Sequence, residues 1–254
     1  MTSNGLLIDE EMNERLHEAG MRTVSISLDG LEETHDWFRN SKGGYQKAIS
    51  AVKTMANSGY YSNVMVTTVV HKKNIDELDE IYEVVKGLGC QSWRIVNVDP
   101  IGRALEDEEI RLEKGDYKRI IDYIVEKRAA DNRIDVTYGC NHYLGVDLER
   151  EARRWYFMCG AGTEVASITY NGDIGACLDI ERRPETTMGN IRKDDFLEVW
   201  QNKFQIFRKN RALTSEKCKD CPEKRFCAGG GFHTWNIDEN EPRICMAQEI
   251  GKLQ

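Results

Sequence analysis

Apolar positions along the chain alternate between helical and extended spacing. Asp9 stands ahead of Met12 and Leu16, four residues apart, with Gly20 after them, so the pattern predicts a capped helix ended by a glycine. Thr23-Val24-Ser25-Ile26-Ser27-Leu28-Asp29-Gly30 reads as a strand running into a turn. A helix follows over about 45–57, with Ala48, Val52 and Met55 on one side and Gly59 as its stop. The β-branched run 64–70 is a strong strand signal. Asn74 and Glu77 have capping-box spacing for a helix carried by Leu78, Ile81 and Val85 and stopped near Gly89. Residues 93–98 read as a strand, 114–130 as an amphipathic helix led by Tyr117, Ile120, Ile121 and Ile124, and 134–137 as a short strand. Strands separated by helices long enough to cross back predict a parallel α/β sheet.

From about Cys140 the alternation stops, which divides the chain into an α/β region, 1–139, and a smaller irregular α+β region, 140–254. In the second, 166–170 and 173–178 flank Asn171-Gly172, the residues of a type I′ hairpin turn. Residues 195–207 read as a helix whose Phe196, Val199, Trp200 and Phe204 pack into a core. The basic positions Lys203, Arg208, Lys209 and Arg211 read as a solvated helix face.

With 254 residues and 40% hydrophobic content, the chain can bury a sizeable core. No apolar run reaches membrane-spanning length, and the first residues have neither a basic nor a long apolar segment, so a cytoplasmic location is expected and a membrane partner is not. A formal charge of −8 argues against a broad nucleic-acid surface. In that setting eight cysteines favour metal ligation over disulfides.

Four of those cysteines lie close together in sequence. Cys218 and Cys221 form a C-x2-C pair, Cys227 follows, and Cys245 closes the set. Four soft sulfurs meet the demand of tetrahedral zinc or of a [4Fe–4S] cube, and spacing alone does not choose between them. An upstream pair, Cys159 and Cys177, has the look of a second centre with ligands missing. Gly229-Gly230-Gly231, inside the four-cysteine stretch, allows backbone to pass close to a cluster.

The order of these segments resembles the radical S-adenosylmethionine enzymes that carry a C-terminal SPASM or twitch-like iron–sulfur extension. Thr2-Ser3-Asn4-Gly5, Val24 to Gly30, His35 to Arg39 and Gly102-Arg103-Ala104 match segments of that family in order, as do Cys159-x12-Gly172-x4-Cys177 and Cys218-x2-Cys221-x5-Cys227. The resemblance implies an incomplete version of the family's partial (β/α)6 barrel followed by an auxiliary-cluster domain. Two departures accompany it. The family's C-x3-C-x2-C loop, which binds the catalytic cluster, occurs nowhere in this sequence, and neither does the glycine-rich acidic segment after the second strand. On the resemblance, both would lie ahead of Met1. A cysteine common in the family's extension is here Gly231.

What the resemblance implies for chemistry is radical-initiated hydrogen abstraction from a peptide or protein in a complete parent enzyme, with this chain by itself unable to cleave S-adenosylmethionine. Cys218, Cys221, Cys227 and Cys245 would hold one auxiliary [4Fe–4S] cluster, and Cys159 and Cys177 part of a second. Asn4, Ser25, Ser27, Asp29, Thr67 and Arg94, at or near strand ends, suit the polar groups of S-adenosylmethionine. Asp179 is a candidate proton acceptor. Two other readings stand beside this one: a noncatalytic iron–sulfur protein that binds a peptide, or completes another subunit or oligomer at an open barrel edge, and a zinc-stabilised interaction domain.

Overall fold

In the computed structural model, which describes residues 1–130, 133–140 and 142–253, the α/β alternation is realised as five parallel strands in sequential order. The elements are β1 (Thr2–Ser3), α1 (Glu10–Glu18), β2 (Thr23–Ser27), α2 (Glu32–Phe38), α3 (Gly44–Ser58), β3 (Asn63–Val70), α4 (Leu78–Lys86), β4 (Ser92–Asn97), α5 (Asp116–Ala130) and β5 (Asp135–Tyr138). Then come α6 (Val146–Ala152), β6 (Ser167–Ile168), β7 (Asp173–Gly175), β8 (Gly189–Asn190), α7 (Phe196–Asn202), α8 (Gln205–Arg208), α9 (Lys224–Cys227), β9 (Trp235–Asn236), β10 (Glu241–Pro242) and α10 (Met246–Glu249). The chain divides into two compact units: Met1–Val98 with Asp107–Cys140 and Arg150–Arg154, and Asp99–Glu106 with Asn141–Glu149 and Trp155–Gln254.

In the first unit, period-two alternation gives each strand two different faces. Val24, Ile26, Val64, Val66, Trp93, Ile95 and Val136 are buried on one face, where Ala48, Val52, Met55, Ile81, Val85, Ile120, Ile121 and Ile124 of the crossover helices belong to the same core. Ser25, Ser27, Thr67, Arg94 and Thr137 alternate onto the other. Asp9 caps α1 as its sequence position predicts, accepting the Met12 N–H at 2.8 Å. The capping box expected from Asn74 and Glu77 does not form. A short 3₁₀ turn over Ile75–Glu77 precedes α4, and both side chains are engaged elsewhere. Asn74 donates to the carbonyls of Asp29 and Val69, and Glu77 accepts from the Leu31 N–H and the Thr34 hydroxyl, so both fasten loops that follow the strands.

The second unit has its own core of Ile174, Ala176, Ile180, Val199, Phe204, Phe207 and Phe232. Phe207 packs against Phe204 and Phe232 with ring centroids 5.5 and 4.8 Å away, so the aromatics of the 195–207 segment are core, as read. The segment is two helices rather than one, broken between Asn202 and Gln205. The hairpin forms, with Ile168 opposite Ile174, but its turn is not type I′. Only Gly172 is left-handed, at φ +92, and Gly172 N–H returns to the Thr169 carbonyl, which gives a type I turn closed by a glycine bulge. The basic interval is also not uniformly a solvated face. Lys203 and Lys209 are exposed, whereas Arg208 donates to the Gly162 and Trp200 carbonyls and Arg211 to that of Gly230.

Candidate metal centre and ligand surface

Cys218, Cys221, Cys227 and Cys245 all border one partly open, mostly apolar cavity, together with His142, Tyr143 and Ile244. The chain gathers them with short, tightly turned segments. Cys221 N–H bonds the Cys218 carbonyl at 3.1 Å, closing the C-x2-C turn, and α9 ends at Cys227. Beyond it Ala228, Gly229 and Gly230 are all left-handed, at φ +52, +92 and +75. Gly229 is also in contact with Trp235, whose ring would lie 2.7 Å from an added Cβ. Glycine is required there on both counts.

Burial pushes the Cys227 thiol up to about 11, against the N–H groups of Gly229 and Gly230 that favour its thiolate. Burial likewise raises Cys218 and Cys245, and the mutual proximity of the four sulfurs adds to the rise. Such thiols are protonated when free and become ligands by exchanging the proton for a metal. No three of the four sulfurs lie within 4.8 Å of one another. Tetrahedral zinc, with Zn–S of about 2.3 Å, would draw its sulfurs to about 3.8 Å apart. A cube attaches each thiolate to a separate iron corner and keeps them further apart, so the donor set fits the cluster better than a single ion.

The upstream pair is less complete. Cys159 and Cys177 are half-buried and near enough to perturb one another, and Cys159 sulfur accepts the Phe232 N–H at 3.5 Å. Cys177 lies 3.7 Å from the Asp179 carboxylate, which is exposed. Among the described residues the structure contains no disulfide. Cys140 is buried and accepts the Asn97 N–H.

Three of the six candidate ligand-binding residues meet directly. Thr67 is the hub: its hydroxyl bonds that of Ser25 at 2.7 Å and accepts from Arg94 Nε at 3.2 Å. Burial lowers the Arg94 pKa from its ordinary value. Ser27, opposite Thr67 in the β2–β3 register, is buried beside them. Asp29 is 0% exposed and already committed, with one oxygen paired to Arg39 and the other accepting the Val69 N–H at 2.7 Å. Asn4 is exposed and closes its own turn by accepting the Leu6 N–H.

A third constellation escaped the sequence reading. In the second unit the Asp99 carboxylate accepts from Nε2 of His142 at 2.7 Å and of His233 at 2.9 Å. These residues are separated by 43 and 134 positions, so no local spacing signals them.

Comparison with known proteins agrees with this geometry. Residues 1–85 match the radical SAM superfamily, and residues 159–222 match the SPASM iron–sulfur cluster-binding domain. An AdoMet-dependent heme synthase of Methanosarcina barkeri (strain Fusaro / DSM 804) is 28% identical over 90% of this chain and 68% of its own length. The mycofactocin maturase MftC of Mycolicibacterium smegmatis is 29% identical over 90% of this chain and 57% of its own. Native anSMEcpe with bound AdoMet and Cp18Cys peptide superposes with a TM-score of 0.70 at 19% identity, over 99% of this chain and 71% of that one. That likeness establishes the fold.

Proposed function

Because this chain belongs to the radical SAM superfamily and carries a SPASM iron–sulfur cluster-binding domain, we propose that it is the auxiliary-cluster and substrate side of a peptide-modifying maturase. The family implies [4Fe–4S] clusters and S-adenosylmethionine. When bound, those groups supply electron transfer and a radical that takes hydrogen from substrate; the protein's own work is to bind, orient and exclude water. Cys218, Cys221, Cys227 and Cys245 hold one cluster, and the observation that carries this is four sulfurs bordering one cavity, no three of them within 4.8 Å of one another. Ser25, Ser27, Thr67 and Arg94 present hydroxyls and a guanidinium on one face of the parallel sheet, suited to a ribose and a carboxylate, with Asn4 at the end of β1 and Asp29 bracing the loop after β2. Cys159 and Cys177 form half of a second cluster site, with Asp179 beside it.

A peptide or protein substrate is supported by the mycofactocin maturase relative and by the peptide-bound structural neighbour. Eight cysteines with no disulfide among the described residues suit a reducing, cytoplasmic setting, and among the described residues no helix is long and apolar enough to cross a membrane. The C-x3-C-x2-C loop is not in this sequence, so S-adenosylmethionine cleavage requires that loop from further sequence or from a partner chain docking on the open sheet edge. Anaerobic reconstitution followed by dithionite reduction tests the cluster. The full chain is expected to give a [4Fe–4S]⁺ electron paramagnetic resonance signal that Cys227→Ser abolishes or alters; a reduced sample without any iron–sulfur signal would overturn the reading.

A further inference from the structure

Asp99 is an enclosed carboxylate of the second unit outside the cysteine cavity. Its side chain is 13% exposed, and its two oxygens are taken by two different histidines. An imidazole that donates from Nε2 to a carboxylate keeps its lone pair on Nδ1. His142 is 2% exposed and steadies one oxygen of Asp99. His233 stands on the other side and borders a groove of about 400 Å³ whose wall includes Leu178, Trp235 and Ile237. Among the described residues its Nδ1 has no hydrogen-bond partner. Burial opposes ionisation of Asp99, but the charge and hydrogen bonds of His142 and His233 more than offset it and hold the carboxyl below its ordinary range.

We propose that Asp99 and His233 form a proton-accepting dyad for a substrate seated in this groove, His233 as the catalytic residue and Asp99 as the positioning residue. The proposal rests on the peptide-substrate reading above. The proton accepted is one bound to oxygen, nitrogen or sulfur in a peptide side chain. The X–H bond breaks, its electron pair stays on X, and the proton forms a new N–H bond at Nδ1. Nε2–H remains bonded to Asp99, whose negative charge balances the imidazolium, and no electron changes hands in the step. Asp179 borders the same groove but is exposed and fastened near Cys177, whereas His233 combines access with a buried counter-charge. The charged groups facing His233 are Asp99 and His142 at its back and Asp179, Glu181, Arg182 and Arg243 around the groove.

With five histidines in the chain, ¹⁵N-histidine nuclear magnetic resonance of the reconstituted full protein tests this, the His233 signal being assigned by its loss in His233→Asn. The expected result is a neutral ring that carries its proton on Nε2, with Asp99→Asn moving the ring towards the Nδ1-protonated tautomer. A ring protonated at Nδ1 in the unaltered protein, or an unchanged tautomer in Asp99→Asn, would overturn the dyad. The tautomer is read on the unaltered chain, so it stands even where Asp99→Asn fails to fold. Diethyl pyrocarbonate should modify His233, and Leu178→Trp, which fills the groove, should slow that at least tenfold; an unreactive or unprotected His233 would overturn its place in the groove. Failure of iron loading would remove the cluster reading and leave these signals unchanged.

Discussion

His71 shows how much a single buried ring constrains this chain. It is 0% exposed, stacked on Phe38 with centroids 4.3 Å apart, and its Nδ1 accepts the Lys73 N–H while Nε2 has no partner. Burial, with the Lys73 charge adding to it, lowers its pKa from 6.5 to about 4. Between those values the unfolded chain binds more protons than the folded one, so stability rises with pH across that window and is lost as pH falls through it, by about 3 kcal/mol at the limit. Urea midpoints measured across the window should show this slope, and His71→Phe, which keeps the stack and removes the titrating group, should flatten it. Thr67 makes a second test at this scale. Thr67→Val leaves the Ser25 hydroxyl and Arg94 Nε without their shared partner and should cost about 1–2 kcal/mol in the same assay.

Among the elements, the turn from Cys227 to Gly231 governs whether the four thiols meet. Gly229→Ala would place a Cβ against the Trp235 ring in a left-handed backbone. The expected cost is about 2–4 kcal/mol from backbone strain and overpacking together, and iron bound per chain after reconstitution should fall with it. Retained iron and an unchanged melting temperature would contradict that account. Element identity was legible in the sequence where periodicity was long: β2, α3, β3, α4, β4 and α5 stand where apolar spacing put them. Details decided by distant partners were not legible. Asn74 and Glu77 have the spacing of a capping box, yet the His71 N–H takes the Asn74 side-chain oxygen and the Leu31 N–H and Thr34 hydroxyl take the Glu77 carboxylate. The Asn171-Gly172 pair identified a hairpin but not its turn type, because Asn171 keeps a negative φ once Thr169 and Asp173 pair.

Across the whole molecule, function was legible in the cysteines because their spacing is local, whereas Asp99, His142 and His233 come together only through the fold of the second unit. Zinc and a cube could not be separated by spacing; the match of residues 159–222 to an iron–sulfur cluster-binding domain favours the cube. The isolated chain, lacking C-x3-C-x2-C, should form no 5′-deoxyadenosine from S-adenosylmethionine under reducing conditions, as read by liquid chromatography, and cluster-dependent formation would contradict this. The most direct test of the account is native mass spectrometry of the anaerobically reconstituted full chain beside its Cys218→Ser and Cys245→Ser variants. The account predicts a mass increment of one [4Fe–4S] cluster on the unaltered chain, absent or much reduced in both variants. One zinc ion per chain with no inorganic sulfide would contradict it.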